Sequence, residues 1–477
     1  MKYDVLIAGA GVIGGMVARE LCKYDLSLCI LEKENDVACG ASKANSGIVH
    51  GGYDPEPGTL KAKMNTLGVE KLFATAKQLH VPIIRNGSMV CAFSKDEDKT
   101  VKELYERGII NNTPDMKLLT GEEARKIEPN LSKEITSVLW VRNAGIVCPY
   151  DLTIAAVGNA MDNGATLMLN FELAKAEKEN GLFKLTAASG ETVTAKYLVN
   201  CAGCGSDKVA KLCGDDSFTI IPRGGEYLLL DKTEGQRVSH TIFQCPSVEG
   251  KGILVSPTVD GNLLTGPTAG VVANAESKEI TQAGIDTVTR LSSKSVPSVQ
   301  FRNVITSFTG VRSSEKNGDF IIGFSEKTEN LLNVAAIDSP GLTSCVAIAE
   351  HVVEIMKNAG VELTENKNFN GNRENPHAFR EMSDEEKDAY IKQHPEYGKI
   401  VCRCEGVSEG EIRYALRTNP PARDMDGVKR RTRSGMGRCQ GGFCGPYVMK
   451  LIAQERGIAK EEVTKKGKGS EMVIGRL

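Results

Sequence analysis

Four cysteines near the C-terminus have types and spacing that could hold a metal centre. Cys402 and Cys404 form a C-x-C pair, and Cys439 and Cys444 form a C-x4-C pair. Two such pairs can converge on one site of four thiolates, which both zinc and iron–sulfur clusters accept. C-x-C is unusual for structural zinc, and the glycine-rich second pair offers backbone N–H groups to cluster sulfides. The pattern favours an iron–sulfur cluster, with zinc as the alternative.

A glycine pattern at the N-terminus is typical of dinucleotide binding. Residues 4–8 have the length and apolar character of a strand, and Gly9, Gly11 and Gly14 follow in a G-x-G-x-x-G pattern. A helix, a second strand and then Glu32 complete the fingerprint. The helix N-terminus would present N–H groups and a positive dipole end to a pyrophosphate. Glu32 would accept hydrogen bonds from the ribose hydroxyls.

Residues 40–52 are too rich in glycine and small polar side chains for a helix or a regular strand. A long loop directly after a nucleotide fingerprint is expected to have a function rather than to be only a surface connection. We therefore expect it to follow a polar ligand with its backbone amides and with Ser42, Asn45, Ser46 and Gly47.

Two later segments could contact the same ligand. A strand over 196–199 runs into small residues that include Ala202 and Gly203, and Gly341, Leu342 and Thr343 stand where a helix should begin. Cys201 and Cys204 have C-x-x-C spacing, but outside a thioredoxin-like pattern, so packing is favoured over redox chemistry. An ordinary capped helix start is the alternative for residues 341–343.

These motifs together resemble the flavoenzyme superfamily of D-amino-acid oxidase, glycerol-3-phosphate dehydrogenase and L-2-hydroxyglutarate dehydrogenase. The resemblance implies FAD as the dinucleotide. It also implies that His50, after the small-residue loop, faces the flavin and that the helix starting at Gly341 points at the flavin pyrimidine. A helix dipole there would stabilise the anionic reduced ring.

The C-terminal segment 401–445 resembles the bacterioferritin-associated-ferredoxin-like (BFD-like) domain, especially the copy fused to the large subunit of anaerobic glycerol-3-phosphate dehydrogenases. That resemblance implies a [2Fe–2S] cluster on the four cysteines. Stand-alone members have a C-x2-C second pair, and this chain departs from them with C-x4-C. The basic run 429–433 could offset an anionic cluster or dock a partner, whereas nucleic-acid binding is disfavoured because no aromatic platform lies nearby.

The elements that must position these residues imply an α/β fold. We expect a Rossmann-like FAD-binding domain (1–82, 148–222 and 302–360) and an inserted antiparallel-sheet substrate domain (83–147 and 223–301). A linker (361–398), a small helical iron–sulfur domain (399–465) and a basic tail (466–477) would follow. The sequence predicts helices over 60–79, 121–127, 150–163 and 384–393.

Composition sets limits on the protein class. The chain has 477 residues with a formal net charge of −2, which gives no general affinity for nucleic acid or anionic membranes. No apolar run reaches the roughly 20 residues of a membrane span, and the N-terminus enters a strand without a signal peptide. We therefore expect a cytoplasmic protein, associated with a membrane only through a partner. Its 14 cysteines then favour metal sites and buried thiols over disulfides.

A flavin and a one-electron centre on one chain predict an FAD-dependent dehydrogenase acting on a CH–OH donor and sending electrons to a redox partner subunit. We predict His50 as the base and Arg312 as the ligand of the substrate's phosphate or carboxylate. The C-terminal domain favours glycerol 3-phosphate, whereas the P-G-x-L-K-A run over 57–62 resembles L-2-hydroxyglutarate dehydrogenase, so a 2-hydroxy acid is the second candidate. A non-catalytic flavin and iron–sulfur electron-transfer subunit is the third.

Overall fold

The computed structural model describes residues 2–246 and 252–475, so Arg476 and Leu477 of the predicted tail lie outside the described residues. The α-helices are α1 (Val12–Leu21), α2 (Leu60–Gln78), α3 (Lys95–Ile110), α4 (Gly121–Ile127), α5 (Pro149–Asp162), α6 (Ser206–Leu212), α7 (Gln282–Ser295), α8 (Gly341–Asn358), α9 (Ala378–Glu381), α10 (Asp384–Gln393), α11 (Glu409–Arg417), α12 (Met425–Thr432) and α13 (Gly445–Arg456). The strands are β1 (Lys2–Ala8), β2 (Leu28–Leu31), β3 (Ile48–Val49), β4 (Ile83–Ile84), β5 (Ser88–Ala92), β6 (Met116–Thr120), β7 (Ser137–Val141), β8 (Gly145–Val147), β9 (Thr166–Met168), β10 (Leu173–Glu179), β11 (Leu182–Ala187), β12 (Thr192–Asn200), β13 (Ile221–Leu230), β14 (Thr241–Gln244), β15 (Leu254–Pro257), β16 (Leu263–Gly266), β17 (Gly270–Val271), β18 (Val304–Ser314), β19 (Ile321–Phe324), β20 (Leu331–Ala335), β21 (Ile400–Cys402) and β22 (Val407–Ser408).

An eight-stranded sheet is built around the N-terminal strand. β1 runs parallel to β2 on one side and to β12 on the other, and β9 and β20 extend the parallel arrangement. Helices α1, α5 and α8 pack against it and share one hydrophobic core. This is the predicted Rossmann-like arrangement, in which ligands bind at the carboxyl ends of the parallel strands.

A nine-stranded sheet forms the second layer. Its spatial order is β17-β13-β16-β15-β14-β5-β7-β6, with β18 paired to β13. Neighbouring strands are antiparallel apart from β14, which runs parallel to β5. Apolar side chains of β13 and α7, among them Leu228, Leu230 and Val288, form its core on one face. The expected inserted sheet is therefore present, with one parallel pair in it.

Two segments differ from the sequence-based expectation. Residues 302–314 were assigned to the FAD-binding domain, but β18 pairs with β13 along the run from Ile221 opposite Ser314 to Leu230 opposite Val304. Alternating hydrophobicity identifies a strand without telling which sheet it joins. The loop 40–52 also contains a short strand, because Ile48 and Val49 pair with β8. The other domain boundaries stay a prediction.

The four helices expected over 60–79, 121–127, 150–163 and 384–393 are confirmed as α2, α4, α5 and α10.

The segment between α8 and α9, which the sequence predicts as a linker, contacts the domain that contains the eight-stranded sheet. Asp25 N–H donates to the Thr364 carbonyl at 2.8 Å, and the Arg373 guanidinium pairs with Asp162 at 2.8 Å. None of the helices in the described ranges has the length and apolar character that a membrane span requires.

The C-terminal domain packs helices α11, α12 and α13 around its own small core. It docks through the basic run that the sequence analysis assigned to cluster balancing or partner docking. Arg430 and Arg431 both pair with Asp36, which is 1% exposed, at 2.5 and 2.8 Å. Arg433 pairs with Asp260 at 2.6 Å and with Glu405 at 2.9 Å. These arginines therefore serve an interface within the chain.

The ion pair at Asp36 should control docking of the C-terminal domain. Burial raises the pKa of Asp36, but Arg431 and Arg430 outweigh it and hold that pKa well below its usual range. The pair therefore stabilises the fold above the unfolded carboxyl pKa of about 4, and this contribution is lost as pH falls through the lower folded value.

We expect Asp36→Asn to lower the free energy of unfolding by about 3–5 kcal/mol, because it leaves two buried guanidinium groups without a counter-charge. Denaturant unfolding at pH 7 measures this. Asp216→Asn is the control, since Asp216 pairs with Lys327 at an exposed site, where loss of an ion pair should leave the stability nearly unchanged. Equal effects of the two changes would contradict the docking account.

Candidate active site and cluster-binding domain

The glycine fingerprint forms a tight turn into α1. Gly9 has φ +104°, a conformation that side chains disfavour. A Cβ on Gly14 would lie 2.0 Å from the Gly9 carbonyl oxygen, so the helix and the turn are in direct contact. The N-terminus of α1 consequently faces the carboxyl ends of the central strands, where its N–H groups can meet a pyrophosphate.

Because the Gly9 carbonyl belongs to the backbone, it cannot move away from a new methyl group. We expect Gly14→Ala to abolish stoichiometric FAD binding, so that the purified protein loses the flavin absorbance bands and keeps the iron–sulfur absorbance. Gly323→Ala is the matched control, since a Cβ at this glycine of β19 meets nothing within 4 Å and its φ is not in the left-handed region. A Gly14→Ala protein that retains full flavin absorbance would contradict the assignment of this turn.

Glu32 and Ser42 converge on this turn. The Glu32 carboxylate is 9% exposed and accepts hydrogen bonds from the Ala10 N–H at 2.8 Å and the Glu34 N–H at 3.0 Å. Burial raises its pKa, and these two donors oppose the rise. The Ser42 hydroxyl accepts from the first helical amide, that of Val12, at 2.8 Å. The Ser42 hydrogen bond therefore joins the loop to the fingerprint, and contact of Glu32 and Ser42 with the cofactor stays a prediction.

The rest of the loop is shaped by its own side chains. Asn45 donates to the carbonyls of Ala41 and Ser42 at 2.9 and 3.2 Å and accepts from the Gly47 N–H at 2.8 Å. The side chain of Asn45 is thus used within the loop, and cofactor contact by its amide stays a prediction. Ser46 shares a hydrogen bond of 3.2 Å with the Tyr227 hydroxyl of β13, which brings the nine-stranded sheet over the loop.

His50 sits where the loop meets α8. Its backbone N–H donates to Thr343 Oγ1 at 2.8 Å, and its carbonyl accepts from Asn65 at 2.8 Å. Its ring stacks on Phe243 at 5.9 Å, and its Nε2 lies 3.3 Å from the Ser339 hydroxyl. Backbone anchors and ring stacking together hold the imidazole in one orientation.

The N-terminus of α8 offers amides to a ligand. The N–H groups of Gly341 and Ser344 donate to the carbonyls of Asp338 and Pro340 at 2.6 and 3.1 Å. The N–H groups of Leu342 and Thr343 accordingly have no partner among the described residues. The Thr343 hydroxyl donates to the Ile48 carbonyl at 3.3 Å and so fastens the helix to the loop. This geometry fits an electron-rich ring edge placed at the helix end.

The small residues after β12 pack against the fingerprint. The Cys201 N–H donates to the Ala8 carbonyl at 2.9 Å, and a Cβ on Gly9 would lie 3.2 Å from the Ala202 Cα. Gly203 has φ +55° and opens the turn that follows. Burial raises the pKa of both the Cys201 and the Cys204 thiols, the latter to about 11, so packing explains this C-x-x-C better than thiolate chemistry.

Arg312 faces a second arginine that the sequence analysis did not select. Arg312 of β18 lies directly opposite Arg223 of β13, and both are half-buried. Directly opposite like charges destabilise a sheet unless an anion or acid offsets them. No described carboxylate pairs with either guanidinium. The pair is therefore suited to a dianion.

The face of β18 that carries Arg312 looks onto the loop. A Cβ on Gly310, two residues earlier on the same face, would lie 1.9 Å from the Ala44 carbonyl oxygen. At the strand end, Ser313 and Ser314 donate to Ile337 O at 3.2 Å and to Asp338 at 2.9 Å. The turn that anchors β18 thus continues to Ser339, beside His50. That Arg312 and His50 border one substrate site stays a prediction.

The four cysteines lie together in two pairs. Cys404 Sγ is 3.8 Å from Cys439 Sγ, and the Cys402 and Cys444 thiols are neighbours in the core of the C-terminal domain. Among the described residues, no three His, Cys, Asp or Glu side chains converge as a mononuclear metal site requires. Two thiolate pairs fit a binuclear cluster, in which each iron takes two. N–H groups of residues 441–443 surround Cys439 Sγ and lower its pKa, as donors to a sulfur-ligated cluster would.

With this geometry in place, comparison with known proteins is decisive. Residues 4–355 match the family model described as FAD dependent oxidoreductase (DAO), and residues 400–454 match the BFD-like [2Fe-2S] binding domain. The chain belongs to the DAO family of FAD-dependent oxidoreductases. It binds FAD and carries a C-terminal BFD-like domain with a [2Fe–2S] cluster. The predicted fold class, cofactors and enzyme class are confirmed.

Several relatives within this family have names. A glycerol 3-phosphate dehydrogenase of Caloramator mitchellensis is 43% identical over 99% of this chain and 98% of its own length. The solved structure of L-alpha-glycerophosphate oxidase from Mycoplasma pneumoniae with FAD bound has a TM-score of 0.75 and 32% identity, covering 78% of this chain and 98% of that one. An L-2-hydroxyglutarate dehydrogenase of Dictyostelium discoideum is 27% identical, covering 75% of this chain and 93% of its own. Both predicted resemblances therefore have counterparts among known proteins.

Proposed function

We propose that this flavoenzyme oxidises glycerol 3-phosphate and passes the electrons through its [2Fe–2S] cluster to a separate acceptor. Its similarity to the Caloramator dehydrogenase supports this substrate, and the observation that carries it is the Arg223–Arg312 pair over the cofactor loop. Two guanidinium groups can bind a phosphate dianion through parallel N–H donors. Glycerol 3-phosphate is a dianion with a secondary hydroxyl close to its phosphate.

His50 supplies the proton acceptor in this proposal. When bound, FAD would supply the hydride acceptor for the carbon that carries the hydroxyl group. His50 Nε2 would accept the hydroxyl proton at the same time, after the substrate hydroxyl takes the place of the Ser339 hydroxyl, which lies 3.3 Å from this nitrogen. The arginine pair holds the phosphate and so orients the carbon. A purely electron-relaying subunit would have no use for this arrangement.

The alternative substrate, L-2-hydroxyglutarate, has two carboxylates and needs a cation for each. Lys61, the lysine of the P-G-x-L-K-A run, is the cation that could meet the second one. Its Nζ pairs with Asp338 Oδ1 at 2.6 Å and lies over the Phe320 ring at 5.5 Å. The charge of Lys61 is therefore already neutralised within the protein. This ion pair favours glycerol 3-phosphate over a dicarboxylate.

Substrate preference tests the proposal. We expect kcat/KM for glycerol 3-phosphate to exceed that for glycerol by about 10,000-fold, because glycerol lacks the group that both arginines bind. L-2-hydroxyglutarate should fall near the glycerol value. Dye reduction by the purified holoenzyme measures all three. A kcat/KM for L-2-hydroxyglutarate equal to or above that for glycerol 3-phosphate would overturn the assignment.

Replacement of His50 tests the base. We expect His50→Gln to lower kcat/KM for glycerol 3-phosphate by about 100- to 1,000-fold, while FAD occupancy stays unchanged. The parent enzyme should lose kcat/KM as pH falls through the imidazole pKa, and the variant should lack this acid limb. His80→Gln is the control, because His80 lies at an exposed helix end. An unchanged pH profile in His50→Gln would assign the proton transfer to another group.

A further inference from the structure

The loop between the last two cysteines exposes an aromatic side chain. Phe443 directly precedes Cys444 and is 89% exposed, although phenylalanine is normally a buried residue. The neighbouring Pro446 is exposed as well. An aromatic ring in this position, next to a redox centre, is available to another molecule.

The cysteine set has an inner and an outer side. Cys402 and Cys444 are 2% and 3% exposed and belong to the core of the C-terminal domain. Cys404 is exposed and Cys439 is half-buried. The outer pair, Cys404 and Cys439, therefore lies at the protein surface on the same two loops that carry the exposed side chains.

The inner side faces the FAD-binding unit. The buried Ser434 lies beside the Cys444 thiol, and Met436 Sδ accepts a hydrogen bond from the Tyr150 hydroxyl at 3.6 Å. Tyr150 follows Pro149, whose ring lies 3.6 Å from where a Cβ on Gly47 would be. Protein contacts thus connect the cofactor loop with the inner cysteines. The outer cysteines lie on the opposite side, where an electron could pass to another molecule.

The outer side is basic. Arg403, between Cys402 and Cys404, and Arg438, directly before Cys439, are both exposed, and neither has a carboxylate partner among the described residues. Glu405 on the first loop is neutralised by Arg433 and Lys232. The whole chain has a net charge of −2, so this positive surface is local.

We propose that Phe443, Arg403 and Arg438 form the docking face for an acidic protein that carries one electron. The aromatic ring would pack at the centre of the contact, and the two guanidinium groups would pair with carboxylates at its rim. The [2Fe–2S] cluster gives one electron to each carrier molecule, so two carriers are reduced for each two-electron oxidation. This inference deepens the proposed electron route and does not depend on which substrate reduces the flavin.

The test measures electron transfer without substrate. The full-length holoenzyme is reduced with stoichiometric dithionite under argon and mixed in a stopped-flow instrument with oxidised cytochrome b5, an acidic one-electron haem protein. Basic cytochrome c is the opposite-charge probe. The variants are Phe443→Ser and the double change Arg403→Glu with Arg438→Glu. Ile110→Ser and Arg423→Glu are matched controls at other exposed positions.

We expect the second-order rate constant for cytochrome b5 reduction to fall about 10-fold in Phe443→Ser and about 100-fold in the double variant at low salt. The controls should stay within about two-fold of the parent. The parent rate should decline steeply with ionic strength, and this dependence should vanish in the double variant. Flavin reduction by substrate should be unchanged in both variants.

Three results would overturn the docking face. The first is that the parent reduces cytochrome c faster than cytochrome b5 at low salt. The second is that the variants reduce cytochrome b5 at the parent rate. The third is that Phe443→Ser converts a dimer to a monomer in sedimentation, or removes binding to anionic phospholipid vesicles, which would assign the face to a second copy or to a membrane. Failure of glycerol 3-phosphate to reduce the flavin would instead count against the proposed substrate alone.

Discussion

Arg312→Ala should lower kcat/KM for glycerol 3-phosphate by about 1,000-fold, which corresponds to about 4 kcal/mol of lost transition-state stabilisation. The expected loss is this large because the substrate phosphate would keep only one guanidinium partner, Arg223, in a half-buried site. Arg312→Lys keeps the charge but not the paired donors, so we expect an intermediate loss of about 30- to 100-fold.

Glycerol, which lacks the phosphate, distinguishes a loss of phosphate binding from a disturbance of the folded sheet. Arg312→Ala should change kcat/KM for glycerol by less than about three-fold, because glycerol makes no phosphate contact. Arg302→Ala, at an exposed position shortly before β18, is the control and should leave both substrates unaffected. An equal loss with glycerol and with glycerol 3-phosphate would mean that Arg312 supports the sheet rather than the substrate.

Cys439→Ala should give the second large effect, a loss of electron transfer from the [2Fe–2S] cluster to the acceptor. We expect loss of the iron–sulfur absorbance and a fall of about 100-fold or more in the reduction of one-electron protein acceptors, since one thiolate of the outer pair is missing. Bleaching of the flavin by substrate should stay within about two-fold of the parent, because the FAD site lies in a separate domain.

Cys213→Ala is the matched control for the cysteine change. Cys213 is a half-buried free thiol at the end of α6, outside both cofactor sites. It should retain the full iron content and the full acceptor activity. A Cys439→Ala protein that reduces the acceptor at the parent rate would place the electron exit at the flavin. Zinc in place of iron in the anaerobically purified parent would overturn the cluster itself.

Local patterns explain why the cofactor sites could be predicted from sequence. The turn at Gly9 and Gly14 depends on residues adjacent in the chain, and the C-x-C and C-x4-C pairs bring their own spacing. Hydrophobic period likewise predicted helices α2, α4, α5 and α10, although it did not identify α3 or α7. In each of these cases the deciding interactions lie within a short segment, which a single sequence displays directly.

Long-range pairing explains what could not be predicted. Arg223 was missed because its position opposite Arg312 depends on the register of β13 and β18, which sequence periodicity does not specify. The same limit put β18 in the wrong sheet. The sequence shows that Lys61 and the basic run 429–433 are positively charged. It does not show that Lys61 pairs with Asp338 or that the basic run pairs with Asp36. Charge is visible in a sequence, whereas the counter-charge is a property of the fold.

An anaerobic titration with glycerol 3-phosphate tests the central claim most directly. The purified holoenzyme is mixed with increments of the substrate while visible absorbance and electron paramagnetic resonance are recorded. We predict that about 1.5 equivalents, which supply the three electrons that FAD and one [2Fe–2S] cluster take up together, bleach the flavin bands and produce the signal of the reduced cluster, and that L-2-hydroxyglutarate does neither. An enzyme whose flavin stays oxidised with glycerol 3-phosphate, or whose cluster stays oxidised while the flavin is bleached, would contradict the account.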